Sequence, residues 1–360
     1  MNPGSTVGIC RLPSGTQIEF RPKIPLRSLL WLLARAYGIN PLMLHEFVVL
    51  DRVEHVFEIV VSYFADMVER LIDLGLYRNY VEEQENLTML RGRILVREDM
   101  QQNLVQRHRT FCEYTSFSWD LPENQVILYV VHLLSGWAFT RKLTARLLRL
   151  ESELEGILFR PFDSDDINQF VYNRASDDYR SIHNLCRLFL DGASLAERSG
   201  AIPFDGFLVD MNVVFERAVG RSLSARLLKP YVLSEQHVTT LDDTSRVTIR
   251  PDLVVSLSGT PVVVADCKYK RLAVNEHKQQ DLYQLLAYCT AMNTRRGILI
   301  YPRHLAPIAG GMPVRNSQIE LHEYAVCLNV PITELDQEFD RLAQYVLALN
   351  ERATAIPGGF

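Results

Sequence analysis

Hydrophobic positions along the chain change period several times, and each change marks an element. Residues 6–23 alternate apolar and polar side chains around Pro13-Ser14-Gly15-Thr16, which predicts a β-hairpin. Residues 26–37 and 53–76 carry apolar side chains at helical spacing. Residues 86–95 and 107–117 alternate again and are expected to pair as short strands. Residues 123–158 read as mostly helix, an acidic break follows at 163–166, and 181–193 read as a further helix.

The back of the chain has a stronger rhythm. Leu208, Met211, Val214, Phe215, Ala218 and Val219 form the apolar face of an expected helix. Residues 253–257 and 262–265 are apolar and β-prone, and Ser258-Gly259-Thr260-Pro261 between them carries turn chemistry. Two such runs around a short turn predict a hairpin. Leu282, Leu285, Leu286 and Cys289 then fall on one helix face. Strands at 297–302 and 318–328, an amphipathic helix at 333–349 and a loose Pro357-Gly358-Gly359 tail complete the reading. Gly310-Gly311 beside Pro313 reads as a loop.

The expected fold class is α/β, α+β overall. Residues 198–203 are the best linker candidate, which predicts a mixed β/α domain over 1–200 and a mixed sheet flanked by helices over 201–360. There is no internal repeat or low-complexity tract.

The first chemistry comes from Pro251-Asp252 and Asp266-Cys267-Lys268. Alternation puts Asp266 and Lys268 on one face of their strand and Cys267 on the other. Asp252 begins the partner strand at the hairpin end away from the turn, where Asp266 also lies, so the two carboxylates can converge. Paired carboxylates repel unless a cation joins them, and hard oxygen ligands suit Mg²⁺ or Mn²⁺. A lysine beside them can position or activate water. The plainer alternative is a solvated hairpin end with ordinary surface charges.

Gln280, Gln284 and Tyr288 form a second stripe on the following helix, able to line a groove or orient the lysine, or simply to face solvent. Glu216 on the preceding helix is a candidate third carboxylate or a surface charge. Lys268, Lys270, Arg271 and Lys278 surround the same region. Arg141, Lys142, Arg146 and Arg149 recur at helical spacing and read as a solvated helix face.

Composition narrows the class without changing it. The chain has 360 residues, 48% hydrophobic, enough for one large or two ordinary cores. A net charge of −5 argues against coating nucleic acid by bulk charge, although a groove can still be basic. Six dispersed cysteines, none in CxxC spacing, suggest thiols in a reducing cytosol rather than a zinc site. No apolar run approaches the length of a membrane span and no signal peptide is evident, so a cytoplasmic chain is expected. No Gly-x-x-x-x-Gly-Lys-Ser/Thr loop is present, so no nucleotide is expected to bind this chain.

In order, Glu216, Pro251-Asp252, Asp266-Cys267-Lys268, Gln284-x-x-x-Tyr288 and the strand at 298–302 resemble the PD-(D/E)xK nucleases, the Gln-x-x-x-Tyr element being similar to their RecB-like branch. Val-Val-Val-Ala-Asp-Cys-Lys-Tyr-Lys, Asp-Leu-Tyr-Gln-Leu-Leu-Ala-Tyr and Gly-Ile-Leu-Ile-Tyr-Pro resemble more narrowly the McrC family, nuclease subunits of modification-dependent restriction systems. The likeness is specific over 207–302. It is looser in front, where Ile18 to Ile24, Leu29 to Gly38, Leu90 to Ile94 and Leu121 to Ile127 carry it.

The resemblance implies a restriction-endonuclease-like C-terminal fold and Mg²⁺-dependent cleavage of modified double-stranded DNA. Asp252, Asp266 and the Cys267 carbonyl would be metal ligands, with Glu216 a candidate through water. Lys268 would be the catalytic lysine and Gln284 an accessory residue. The implied partner is an McrB-like AAA+ GTPase ring, contacted and stimulated by the front half; the Arg91-Gly92-Arg93 turn is one candidate contact, or an ordinary loop. A stand-alone RecB-like exonuclease or repair nuclease, a non-catalytic scaffold subunit, and an α/β domain with coincidental carboxylates are the alternatives.

Overall fold

A computed structural model describes residues 5–11, 14, 16–39, 52–105, 108–137, 139–198, 206–270, 279–303 and 309–354. The chain begins with β1 (Thr6–Arg11), β2 (Gln17–Phe20), α1 (Leu26–Tyr37) and α2 (Val53–Leu74). There follow β3 (Asn79–Leu87), β4 (Arg93–Ile94), α3 (Val96–Gln102), β5 (Thr110–Ser118), α4 (Pro122–Ser135), α5 (Arg141–Glu153) and α6 (Tyr179–Arg198). The back half holds β6 (Gly206–Asp210), α7 (Met211–Ser224), β7 (Tyr231–Glu235), β8 (Thr239–Thr240), β9 (Thr248–Ile249), β10 (Leu253–Leu257) and β11 (Thr260–Cys267). It ends with α8 (Gln279–Ala291), β12 (Arg296–Arg303), β13 (Ala309–Pro313), β14 (Glu320–Cys327) and α9 (Ile332–Thr354).

These elements form two compact units, one of residues 1–59 with 192–360 and the other of residues 60–191. β1 pairs antiparallel with β6, which joins the front of the chain to its back half. The expected linker, from residue 199 onward, lies outside the described residues, as do Pro13, Gly15, Arg271, Lys278 and the Pro357-Gly358-Gly359 tail.

The first unit is built on a six-stranded mixed sheet in the order β13-β14-β12-β11-β10-β7. β11, β12 and β14 run parallel, while β7, β10 and β13 are antiparallel to their neighbours. Ile298, Leu299, Ile300 and Tyr301 are all buried, the continuous apolar run of a central strand covered on both faces. The β10–β11 turn is tighter than expected, only Ser258 and Gly259. Their φ values of 50° and 85° match the strand twist, as in a two-residue hairpin.

On one face α8 packs Leu285, Tyr288 and Cys289 against Val264, Leu299, Tyr301 and Leu321. Gly297 makes this approach possible: a Cβ there would lie 2.6 Å from Cys289 Sγ and 2.9 Å from Leu285 Cγ. Trp31 of α1 stacks on Phe339 of α9 at 4.9 Å, and Ser28 of α1 donates to the Leu328 carbonyl at 2.5 Å. Arg226, just beyond α7, holds Asp340 of α9 at 2.5 Å.

Three local expectations change. Leu208 lies in β6, not in the helix, which starts only after Asp210 accepts from the Asn212 amide as its cap. The strand expected at 86–95 lies mainly earlier, at β3, whose largely polar and exposed residues hid it. Gly310-Gly311 is not loop but part of the edge strand β13, where small side chains lie across from Glu323 and His322.

In the second unit β3, β5 and β4 form an antiparallel sheet. Buried Asn124 of α4 donates to the Tyr77 and Trp119 carbonyls at 2.9 and 2.6 Å and accepts from Tyr179 at 2.8 Å. Two of the four basic residues of α5 are not simply solvated: Arg146 pairs with Asp66 and Glu69 at 2.5 Å each, and Arg149 pairs with Glu153 at 3.3 Å. Gly92, at φ 67°, lies against the Glu113 carbonyl and Tyr114 of β5, Arg91 stacks on the Tyr114 ring, and Arg93 pairs with Glu113 at 2.6 Å.

Candidate active site

The β10–β11 hairpin brings the sequence candidates together at its open end. Leu253 pairs with Ala265, so Asp252 and Asp266 flank the last rung. The Asp252 Oδ2 accepts from the Cys267 amide at 2.8 Å, which fixes its carboxylate across the strand end. Asp266 is only 1% exposed. The Lys268 Nζ lies 2.6 Å from Asp266 Oδ2. At that distance the ammonium bears directly on the buried carboxylate.

From α8, Gln284 completes the arrangement. Lys268 Nζ donates to Gln284 Oε1 at 3.2 Å, and Gln284 Nε2 donates to the Tyr288 hydroxyl at 2.6 Å. The tyrosine thus orients the amide so that its oxygen faces the lysine. Glu216, half-buried on α7, accepts from Gln236 and feels both Asp252 and Asp266.

The electrostatics are those of crowded acids with one cation. Burial, then the neighbouring Asp252 charge, pushes Asp266 up to about 7. Burial and Glu216 raise Asp252, and burial foremost raises Glu216. Burial pulls Lys268 down, but Asp266 and then Asp252 outweigh it, and its pKa ends above the ordinary lysine value. Cys267 is pushed far up by burial and nearby carboxylates, so its thiol is not a nucleophile.

Among the described residues, no three His, Cys, Asp or Glu side chains form a group that could hold a metal by themselves. The donor set still fits Mg²⁺, which retains several waters and needs only one or two carboxylates. The buried Asp266 carboxylate beside Asp252 at the same strand end is the observation that favours a cation there.

Sequence reasoning missed two neighbours. Lys270, one of the basic residues named around the site, pairs with buried Asp281 of α8 at 2.8 Å, a partner no spacing pointed to, and the Tyr301 hydroxyl reaches Asp281 at 3.5 Å. Gln236 lies 16 residues before Asp252 in a loop-like stretch, and no spacing signal points to it.

Fold and site together define a mixed α/β protein with a buried two-carboxylate, one-lysine centre at the end of a central hairpin. A family model described as McrBC 5-methylcytosine restriction system component matches residues 1–302, and the chain belongs to that family. No curated protein matches it. A chain of the refined half-complex from the tetradecameric assembly of Thermococcus gammatolerans McrB AAA+ hexamers with bound McrC is similar over 95% of this chain and 83% of that chain, with TM-score 0.60 and 20% identity. The cryo-EM structure of the Thermococcus gammatolerans McrBC complex matches over 62% of this chain and 67% of its own, with TM-score 0.45 and 21% identity. At this identity the first likeness bears on the fold alone.

Proposed function

We propose that this chain is the DNA-cleaving subunit of a modification-dependent restriction complex, with a PD-(D/E)xK centre that hydrolyses phosphodiester bonds. The observation that carries the reading is the buried Asp266 carboxylate crowded between Asp252 and Lys268. Carboxylates packed this closely at a buried strand end repel unless a cation joins them.

Asp252, Asp266 and the Cys267 carbonyl would hold Mg²⁺ or Mn²⁺, with Glu216 acting through water. A bound divalent cation would offset charge on the phosphate and acidify a water. Lys268, held by Asp266 and Gln284, orients the attacking water and donates to oxygen that gains charge. Gln284 keeps the lysine aimed, and Tyr288 keeps Gln284 from turning.

The partner follows from family and likeness. In the solved half-complex McrC is bound to McrB AAA+ hexamers. The corresponding partner here is a AAA+ GTPase ring, and the substrate is double-stranded DNA bearing a modified cytosine, in a cytoplasmic complex. The test is to combine the purified chain with an McrB-like AAA+ protein, GTP, Mg²⁺ and methylated or unmethylated plasmid. Strand cleavage confined to methylated DNA and abolished by EDTA is expected. Cleavage of plain linear DNA by the chain alone would favour a stand-alone exonuclease, and no cleavage by a formed complex would favour a scaffold.

A further inference from the structure

Gln236 stands where β7 ends. Its φ is 51°, in the left-handed region that side chains other than glycine, asparagine and aspartate enter at a cost. Its amide donates to the Asp252 carbonyl at 2.8 Å, one step beyond the Leu253–Glu235 rung of the β7–β10 ladder. Its side-chain Nε2 donates to Glu216 Oε1. One residue therefore grips the main chain of one candidate ligand and the side chain of another. A glycine or asparagine would take this backbone with less strain and keep the amide bond to Asp252. Neither would reach Glu216, glycine having no side chain and asparagine being one methylene short.

We infer that Gln236 is a positioning residue that aims Glu216 at the Asp252–Asp266 centre, its strained backbone held by the two hydrogen bonds it makes. The inference rests on the nuclease reading. Partners that orient metal ligands in this way typically change metal affinity by about 10–100-fold when removed.

The test uses the full chain and magnesium chloride alone, read by calorimetry and by the melting temperature at rising Mg²⁺. Gln236→Asn and Gln236→Gly are compared with wild type, and Asp266→Ala defines the response without a ligand. Both Gln236 variants should melt at or above the wild-type temperature without metal, yet need about tenfold more Mg²⁺ for half-maximal response. In the assembled complex, the Mg²⁺ concentration for half-maximal cleavage should rise by the same factor. A wild-type chain that responds to Mg²⁺ with variants that respond identically would overturn this inference alone. A wild-type chain indifferent to Mg²⁺ would overturn the nuclease reading with it. A weaker Mg²⁺ response only in a variant that melts lower, with Gln236→Gly behaving as wild type, would reduce Gln236 to a structural role.

Discussion

Lys268 Nζ lies 2.6 Å from an Asp266 carboxylate that is 1% exposed. The lysine is therefore the main compensation for a charge the fold has buried. Lys268→Met keeps the aliphatic stem and removes that compensation. Cleavage should fall at least about a hundredfold. Stability should fall too, by about 2 kcal/mol at pH 8, less than for a fully buried pair because the lysine keeps some contact with water. At pH 5, where Asp266 is protonated and needs no cation, the loss should be smaller. Equal losses at both pH values by chemical denaturation would refute this account of the pair.

Asp266→Asn should stabilise the metal-free chain at neutral pH. The carboxyl is raised from 3.8 to about 7 in the folded state. Between those values the folded chain binds more protons than the unfolded one, so stability declines as pH rises through that window. The penalty is complete above about 7 and absent below the unfolded value. The amide does not titrate, so the variant's advantage in EDTA should grow from pH 4 to 7 and then level off, reaching roughly 5 °C in melting temperature. An advantage independent of pH would contradict the burial of this charge.

Much of this centre was legible in the sequence because it is local. The valine runs and the Ser258-Gly259 turn fix hairpin and register, and alternation then puts Asp266 and Lys268 on one face. Gln284 and Tyr288 follow from helical spacing, and the Gln284 contacts agree with that stripe. What could not be read depends on long-range pairing. The β1–β6 ladder joins segments some 200 residues apart, which hid the strand containing Leu208. The partner of Lys270, Asp281, lies on another element, and no spacing links the two. Gln236 acts through a backbone angle and two contacts that no periodicity encodes.

Tyr288→Phe separates orientation from folding. The ring stays in its apolar cluster, but Gln284 Nε2 loses its acceptor and the amide can turn away from Lys268. Turnover at saturating substrate should fall about tenfold with a nearly unchanged melting temperature. A turnover equal to wild type would remove Tyr288 from the site.

Gly297→Ala tests the seating of α8. The added Cβ would collide with Cys289 Sγ and Leu285 Cγ. Overpacking of this kind costs about 1–3 kcal/mol, and relief by shifting α8 would also displace Gln284. Denaturant titration should show the loss, and Cys289→Ala on the same chain should recover part of it. No recovery would place the clash elsewhere.

The central claim is that one buried carboxylate makes this chain the cutting subunit. The most direct measurement compares wild type and Asp266→Asn, each assembled with the AAA+ GTPase ring, GTP and Mg²⁺, on methylated plasmid. Equal assembly, with cleavage by wild type and at least about a hundredfold less by Asp266→Asn, is the predicted result. Cleavage by Asp266→Asn at the wild-type rate would contradict it.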